Sequence, residues 1–169
     1  MILQRENKIL REKAKRIGDL KSPEIKALIK KMAEAMFAEP DGIGIAAPQV
    51  GAGIRIFLVA KDILRGLPRQ VKASQTAGFF VFINPVIKNT SSKKDKDTEG
   101  CLSVRGYYGE VARPEKITVE YFDEFGKKHT RGASGLFARV IQHELDHLEG
   151  ILFTDKAKKL ERMPLIHET

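Results

Sequence analysis

The chain has 169 residues, a hydrophobic content of 42% and a formal charge of +8 at neutral pH, which fits one globular domain over residues 1–169 with a substantial core. No apolar run is long enough to span a membrane, the N-terminus MILQRENKILREK lacks a signal-peptide core, and Cys101 as sole cysteine excludes an internal disulfide and fits a reducing, cytoplasmic compartment. The basic charge suits either solubility or a polyanionic neighbour such as RNA, but no aromatic-and-basic motif for sequence-specific nucleic-acid reading is visible.

The first twenty residues mix charge with Ile2, Leu3, Ile9, Leu10, Ile17 and Leu20, and are expected to wrap the surface. Ser22-Pro23 predicts a helix start, with serine as N-cap and proline in the first turn. Ile25, Leu28, Ile29, Met32 and Met36 recur at helical spacing, and Pro40 closes the segment. Asp41 to Gly51 reads DGIGIAAPQVG. Its glycines and alanines around Ile43, Ile45 and Gln49 suit either a backbone that approaches a ligand closely or a tight loop under a helix. It lacks the lysine and Ser/Thr of a phosphate loop, and Gln49 is its one side chain that both donates and accepts.

Ile54 to Ala60 predicts a strand, Lys61 to Gly78 a long loop, and Phe79 to Ile83 a second strand ending at Asn84-Pro85, with Val86-Ile87 as an extension. Asn89 to Asp97 reads as a charged loop tip, and Glu99-Gly100-Cys101-Leu102-Ser103 follows. Ile117 to Phe122 and Lys127 to Arg131 predict a hairpin around Asp123 to Gly126. Ser134-Gly135 opens a second helix, which Gly150 closes as a left-handed cap. The tail carries Lys156, Lys158, Lys159, Glu161 and Arg162, and no repeat or linker interrupts the chain.

Within that second helix, His143, Glu144 and His147 form an H-E-x-x-H. Positions i and i+4 lie one turn apart on one face, so both imidazoles can reach one ion with Glu144 placed to handle a proton on nearby water. On a helical wheel Glu149, Gln142, Asp146 and Arg139 gather in a narrow polar arc. The two histidines and Glu144 fall in the apolar arc with Leu136, Phe137, Val140, Ile141, Leu145 and Leu148. A buried carboxylate needs a partner or a task, so a metal site is favoured over a solvated helix with two surface histidines. Leu136, Val140 and Ile43 are expected to line an apolar slot for an unbranched side chain, with ordinary core packing as the competing role for Leu136.

A catalytic site of this type takes three protein ligands. The metzincin continuation H-x-x-G-x-x-H matches through Gly150 but places Phe153 where the third histidine belongs. A downstream ligating glutamate on another long helix is lacking, His129 falls in the hairpin and His167 in the terminus. Cys101 remains, against its reading as a small buried hydrophobe.

Gly42-Ile43-Gly44-Ile45-Ala46-Ala47-Pro48-Gln49, Glu99-Gly100-Cys101-Leu102-Ser103 and Gln142-His143-Glu144-Leu145-Asp146-His147 together resemble the signatures of the peptide deformylase family, in its order. The resemblance covers roughly Ile25 to Asp155. It implies an α+β fold with antiparallel sheets around a central metal-binding helix, and a hydrolase that removes the formyl group from the starting methionine of new proteins and releases formate. It implies ligation by Cys101, His143 and His147, Glu144 as general base then acid, Gln49 and the Leu102 backbone N–H at the oxyanion, and the Gly44 backbone paired with the peptide. The cofactor implied is one divalent ion, Fe(II), with zinc, nickel or cobalt as substitutes. The partners implied are formyl-methionyl nascent peptides and, through a basic C-terminal tail, the ribosome.

The chain departs from the family in Arg105, where many relatives carry proline, in the long Lys61 to Gly78 segment and in a short tail. A Cys/His/His set also describes a blue-copper centre, but that leaves Glu144 and Gln49 without a role and offers no axial methionine. A metallopeptidase is disfavoured by Phe153. An RNA-binding module with a structural metal is disfavoured because such sites carry four protein ligands and no neighbouring base.

Overall fold

The computed structural model describes residues 1–65 and 78–163. Helix α1 (Pro23–Ala38) begins as expected, with the Ser22 hydroxyl accepting from the Ile25 N–H at 3.3 Å and Pro23 in the first turn. It stops at Ala38, two residues before Pro40. Ile25, Ile29, Met32 and Met36 are buried, while Leu28 is half-buried at the margin of the same cluster.

Five antiparallel strands form the larger sheet, in the order β1 (Gly44–Ala46), β2 (Ile56–Ala60), β3 (Phe79–Thr90), β6 (Lys116–Phe122) and β7 (Lys128–Ser134). Strand β2 is buried on both faces, which is why its sequence is an unbroken apolar run. Ile56, Leu58 and Ala60 pack with α1, and Phe57 and Val59 pack with the second helix. The hairpin of β6 and β7 turns at Asp123 to Gly126 as expected.

Strand β3 passes Asn84-Pro85 through a register shift, takes in the extension expected at Val86-Ile87 and runs on to Thr90; at the shift Asn84 takes a φ of 50° and its side chain satisfies both the Ile17 N–H and the Ile17 carbonyl. The charged stretch read as a loop tip belongs mostly to strands. It ends β3 and opens β4 (Lys94–Cys101), which pairs with β5 (Val104–Pro114), and β8 (Leu160–Arg162) adds to the other edge of β5.

Helix α2 (Gly135–Leu148) packs against β1, β2, β6 and β7 of the larger sheet and against β5 of the smaller one. Its polar arc meets the smaller sheet: Arg139 donates to the Val111 and Asp95 carbonyls at 2.9 and 2.8 Å, and Gln142 to the Pro114 carbonyl at 3.0 Å. Gly150 caps it with φ 73°, and an added Cβ there would lie 2.6 Å from the Arg11 carbonyl oxygen, so the left-handed turn and the close approach both require glycine. The N-terminal segment wraps the surface and is tied down along its length, by Leu3 to the Gln49 carbonyl, Arg5 to Ser103, Ala14 to Leu148 and Lys15 to Gly53. Among the described residues, no helix is long and apolar enough to cross a membrane.

Candidate active site

His143 and His147 stand one turn apart on α2 with ring centroids 5.1 Å apart. Cys101 reaches them from the end of β4, where the register shifts between Glu99 and Cys101. Its Sγ lies 3.2 Å from His147 Nε2, and one donor atom from each of Cys101, His143 and His147 lies within 4.8 Å of the others. A sulfur and two imidazoles so gathered fit a single divalent ion. The Ser103 N–H and Gln49 Nε2 donate to Sγ at 3.4 and 3.7 Å.

The surrounding charges favour a cation. His143 Nδ1 contacts Glu99 Oε2 at 3.0 Å, leaving Nε2 as the nitrogen to face an ion. Burial works against a proton on His143, yet Cys101 and Glu99 hold it well above its ordinary value, so a positive charge is welcome there even without a metal. Burial and the neighbouring His143 push His147 well below its ordinary value, toward the neutral form that ligates.

Glu99 anchors the network. Its carboxylate is buried and accepts from Arg113 Nε and Nη2 at 2.5 and 2.8 Å and from Arg139 Nη1 at 2.8 Å. Burial alone raises such a carboxyl, but Arg113 and His143 hold it well below the usual range. Arg113 also reaches Asp146 at 2.8 Å, which pairs with Lys156 at 2.7 Å. The sequence places Glu99 two residues before Cys101 but shows none of these partners.

Glu144 is buried, its Oε2 has no protein partner, and burial pushes its carboxyl up to about 7, with Glu99 adding to the shift and His143 opposing it. It backs onto β1 so closely that a Cβ on Gly44 would sit 2.5 Å from Glu144 Oε1. A cleft of about 220 Å³ opens in front, lined by Ile43, Gly44, Leu102, Leu136 and Val140 with Gln49, Cys101, His143 and Glu144. His147 lies behind that lining, fully buried. Gln49 Oε1 accepts from the Ala46 N–H at 2.8 Å, so its Nε2 points to Ser103 Oγ at 3.0 Å and to Cys101. Among the described residues strand β1 is the edge of its sheet, and its Gly44 lines the cleft.

The structure thus gathers Gln49, Cys101, Leu102, His143, Glu144 and His147 with Ile43, Gly44, Leu136 and Val140 around one cleft. The residue at the metzincin ligand position, Phe153, is buried and stacks on His143 with centroids 6.3 Å apart. His129 pairs with Asp123 at 2.7 Å in the hairpin, and His167 falls outside the described residues. Sequence reasoning quoted Glu99 without a role, missed Arg113 altogether and placed Arg139 only in the polar arc of the helix. Asp41 and Tyr108, which also line the cleft, were not singled out.

Comparison with known proteins defines the class. The polypeptide deformylase family model matches residues 1–163. A peptide deformylase of Roseiflexus castenholzii is 42% identical over 148 residues, covering 84% of this chain and 78% of its own. One from Pelagibacter ubique is 41% identical over 167 residues, covering 98% and 90%. The crystal structure of a Synechococcus elongatus peptide deformylase in complex with actinonin superposes with a TM-score of 0.81 at 36% identity, covering 94% and 79%. Fold and relatives together make this a metal-dependent hydrolase of the α+β class. The chain belongs to the peptide deformylase family. It is an enzyme that removes the N-formyl group from nascent peptides.

Proposed function

We propose that Cys101, His143 and His147 hold one Fe(II) ion, with zinc, nickel or cobalt as substitutes, and that Glu144 and Gln49 carry the chemistry on the formyl amide of formyl-methionyl nascent peptides in the cytoplasm. A soft thiolate with two imidazoles suits these metals, and a reducing compartment keeps Cys101 available as a ligand. When bound, such an ion lowers the pKa of water and polarises a carbonyl oxygen.

The observation that carries the reading is Glu144: a buried carboxyl with an unpartnered oxygen, beside a three-donor group, raised to about 7. A group so poised accepts a proton from the attacking water and returns it to the departing amine. Gln49 Nε2, aimed by the Ala46 N–H, and the Leu102 backbone N–H stabilise the oxyanion as it gains charge. The edge of β1 at Gly44 pairs with the extended peptide, and Ile43, Leu136 and Val140 receive the methionine side chain.

Replacing Glu144 with glutamine tests this directly. The variant is expected to keep one metal per chain and lose about 100-fold or more of its formate release, since the amide cannot accept the proton. Near-normal turnover with metal bound removes Glu144 from this role. The basic stretch of Lys156, Lys158, Lys159 and Arg162 is proposed to meet ribosomal RNA. Salt-sensitive cosedimentation with ribosomes, lost on neutralising the four charges, is the expected result.

A further inference from the structure

Arg105 is the second residue of β5, after Val104, the register partner of Cys101. Its guanidinium leaves the smaller sheet and meets two carboxylates of the turn after α1, one of which, Asp41, lines the cleft. Nη2 pairs with Glu39 Oε2, and Nη1 donates to Asp41 Oδ1 at 3.3 Å. Glu39 caps α1, and Asp41 lines the cleft just ahead of Ile43 and Gly44. All three side chains are about 30% exposed, at 27%, 30% and 31%, so the pairs are half-shielded from water. The turn they hold has little room to move: a Cβ on Gly42 would lie 1.9 Å from the Met36 carbonyl oxygen, and the Gly42 N–H donates to the Glu39 carbonyl at 3.3 Å.

Two side-chain links therefore join residues 39–49 to residues 101–105, an inner one beside the metal-ligand group and an outer one at the turn before β1. At the inner end Gln49 donates to Ser103 Oγ at 3.0 Å, beside the metal-ligand group. At the outer end Arg105 joins the 39–41 turn to β5. Between them runs the edge of β1, where a peptide would pair. The inner link sets the distance between Gln49 and Cys101. The outer link sets the distance between the two walls where residues beyond the first methionine pass.

We propose that Arg105 is a positioning residue: with Glu39 and Asp41 it clamps the outer end of the cleft and fixes the β1 edge for the part of the peptide that follows the formyl-methionine. The inference rests on the reading of the site given above. The clamp acts on binding of longer peptides, because the formyl group and methionine side chain lie at the inner end. A planar guanidinium presents separate Nη1 and Nη2 donors to the two carboxylates in a fixed fork, a geometry that an ammonium does not reproduce.

The experiment compares the KM for formyl-Met-Ala-Ser amide with that for formyl-Met amide within each preparation, so that loss of folded or metal-loaded enzyme cancels. In wild type the longer substrate is expected to have the lower KM. In Arg105→Gln the ratio of long to short KM is expected to rise about fivefold, a change worth one well-placed charge pair. Arg105→Lys is expected to fall between the two. An unchanged ratio in Arg105→Gln, or a wild-type ratio in Arg105→Lys, overturns the clamp. A second readout needs no turnover. Hydrogen exchange of the amides of residues 42–44 in the metal-free protein is expected to speed up in Arg105→Gln relative to the amides of β2, and unchanged exchange overturns the clamp whether or not the enzyme reading holds. Failure of wild type to turn over formyl-Met amide bears on the enzyme reading alone.

Discussion

Replacing Glu99 with glutamine keeps the shape of the side chain and removes the charge on which the interior of the site depends. The carboxylate is 4% exposed and lies between two guanidinia and His143. One charge pair at about 4 Å is worth about 4 kcal/mol at an effective dielectric near 20, and breaking a buried pair from one side typically costs about 3–5 kcal/mol. Arg113 keeps Asp146, and Arg139 keeps two backbone carbonyls, so the lower end applies, about 3 kcal/mol. With a urea slope of about 2 kcal/mol per molar, the unfolding midpoint of the metal-free protein is expected to fall by about 1.5 M at pH 7. The pH dependence has a definite sign. Burial raises the Glu99 carboxyl, but Arg113 and His143 hold it below its ordinary 4.5, so its contribution is complete above about 4.5 and lost as the pH falls through the lower folded value. The gap between wild type and Glu99→Gln is therefore expected to narrow in acid. Affinity for zinc is expected to drop about 10- to 100-fold, because His143 loses the acceptor that orients it. Equal midpoints at pH 7, or a gap that widens in acid, would refute the reasoning.

Cys101→Ser is expected to weaken metal binding and alter the visible spectrum of the cobalt form, since a hydroxyl is a far harder ligand than a thiolate; unchanged content and spectrum would place Cys101 away from the ion. Gly44→Ala puts a methyl group 2.5 Å from Glu144 Oε1 and 2.9 Å from Val140 Cγ1, so kcat for formyl-Met peptides is expected to fall at least tenfold with metal retained, and wild-type kcat would show that the helix yields. The iron form is expected to lose activity in air while the zinc form persists, because iron and its thiolate ligand oxidise and zinc has no redox chemistry. Formate release followed over hours, with a mass spectrum for oxygen added at Cys101, checks this; equal durability of the two forms would argue against iron at this site.

The helices and the reacting groups were legible because each rests on a local rule. Ser22-Pro23 specifies a helix start, Gly150 a left-handed cap, and the spacing of His143 and His147 a shared face. Strand β2 was legible as an apolar run. Strand β4 was not, because a strand at the edge of a small sheet shows charge along most of its length, and Lys94 to Asp97 carries the composition of a loop. The irregularity of β3 at Asn84 was hidden for a different reason: Asn84 is held by Ile17, 67 residues away. The polar arc of α2 misled in the same way. Arg139, Gln142 and Asp146 look like a solvent face, and only the tertiary fold supplies Glu99, Arg113 and the carbonyls of β4 and β5 that satisfy them. Local signals thus located Cys101, His143, Glu144 and His147, while the partners that surround them come from distant parts of the chain.

The central claim is that one ion held by Cys101, His143 and His147 enables hydrolysis of a formyl amide with Glu144 as base. The most direct measurement is an anaerobic titration of the metal-free protein with Fe(II), following formate release from formyl-Met-Ala-Ser amide at each addition. Activity is expected to rise linearly, break sharply at one equivalent per chain, and disappear on adding a chelator. Formate release from the metal-free protein, or an activity that no stoichiometric addition of Fe(II), zinc, nickel or cobalt restores, would contradict the account.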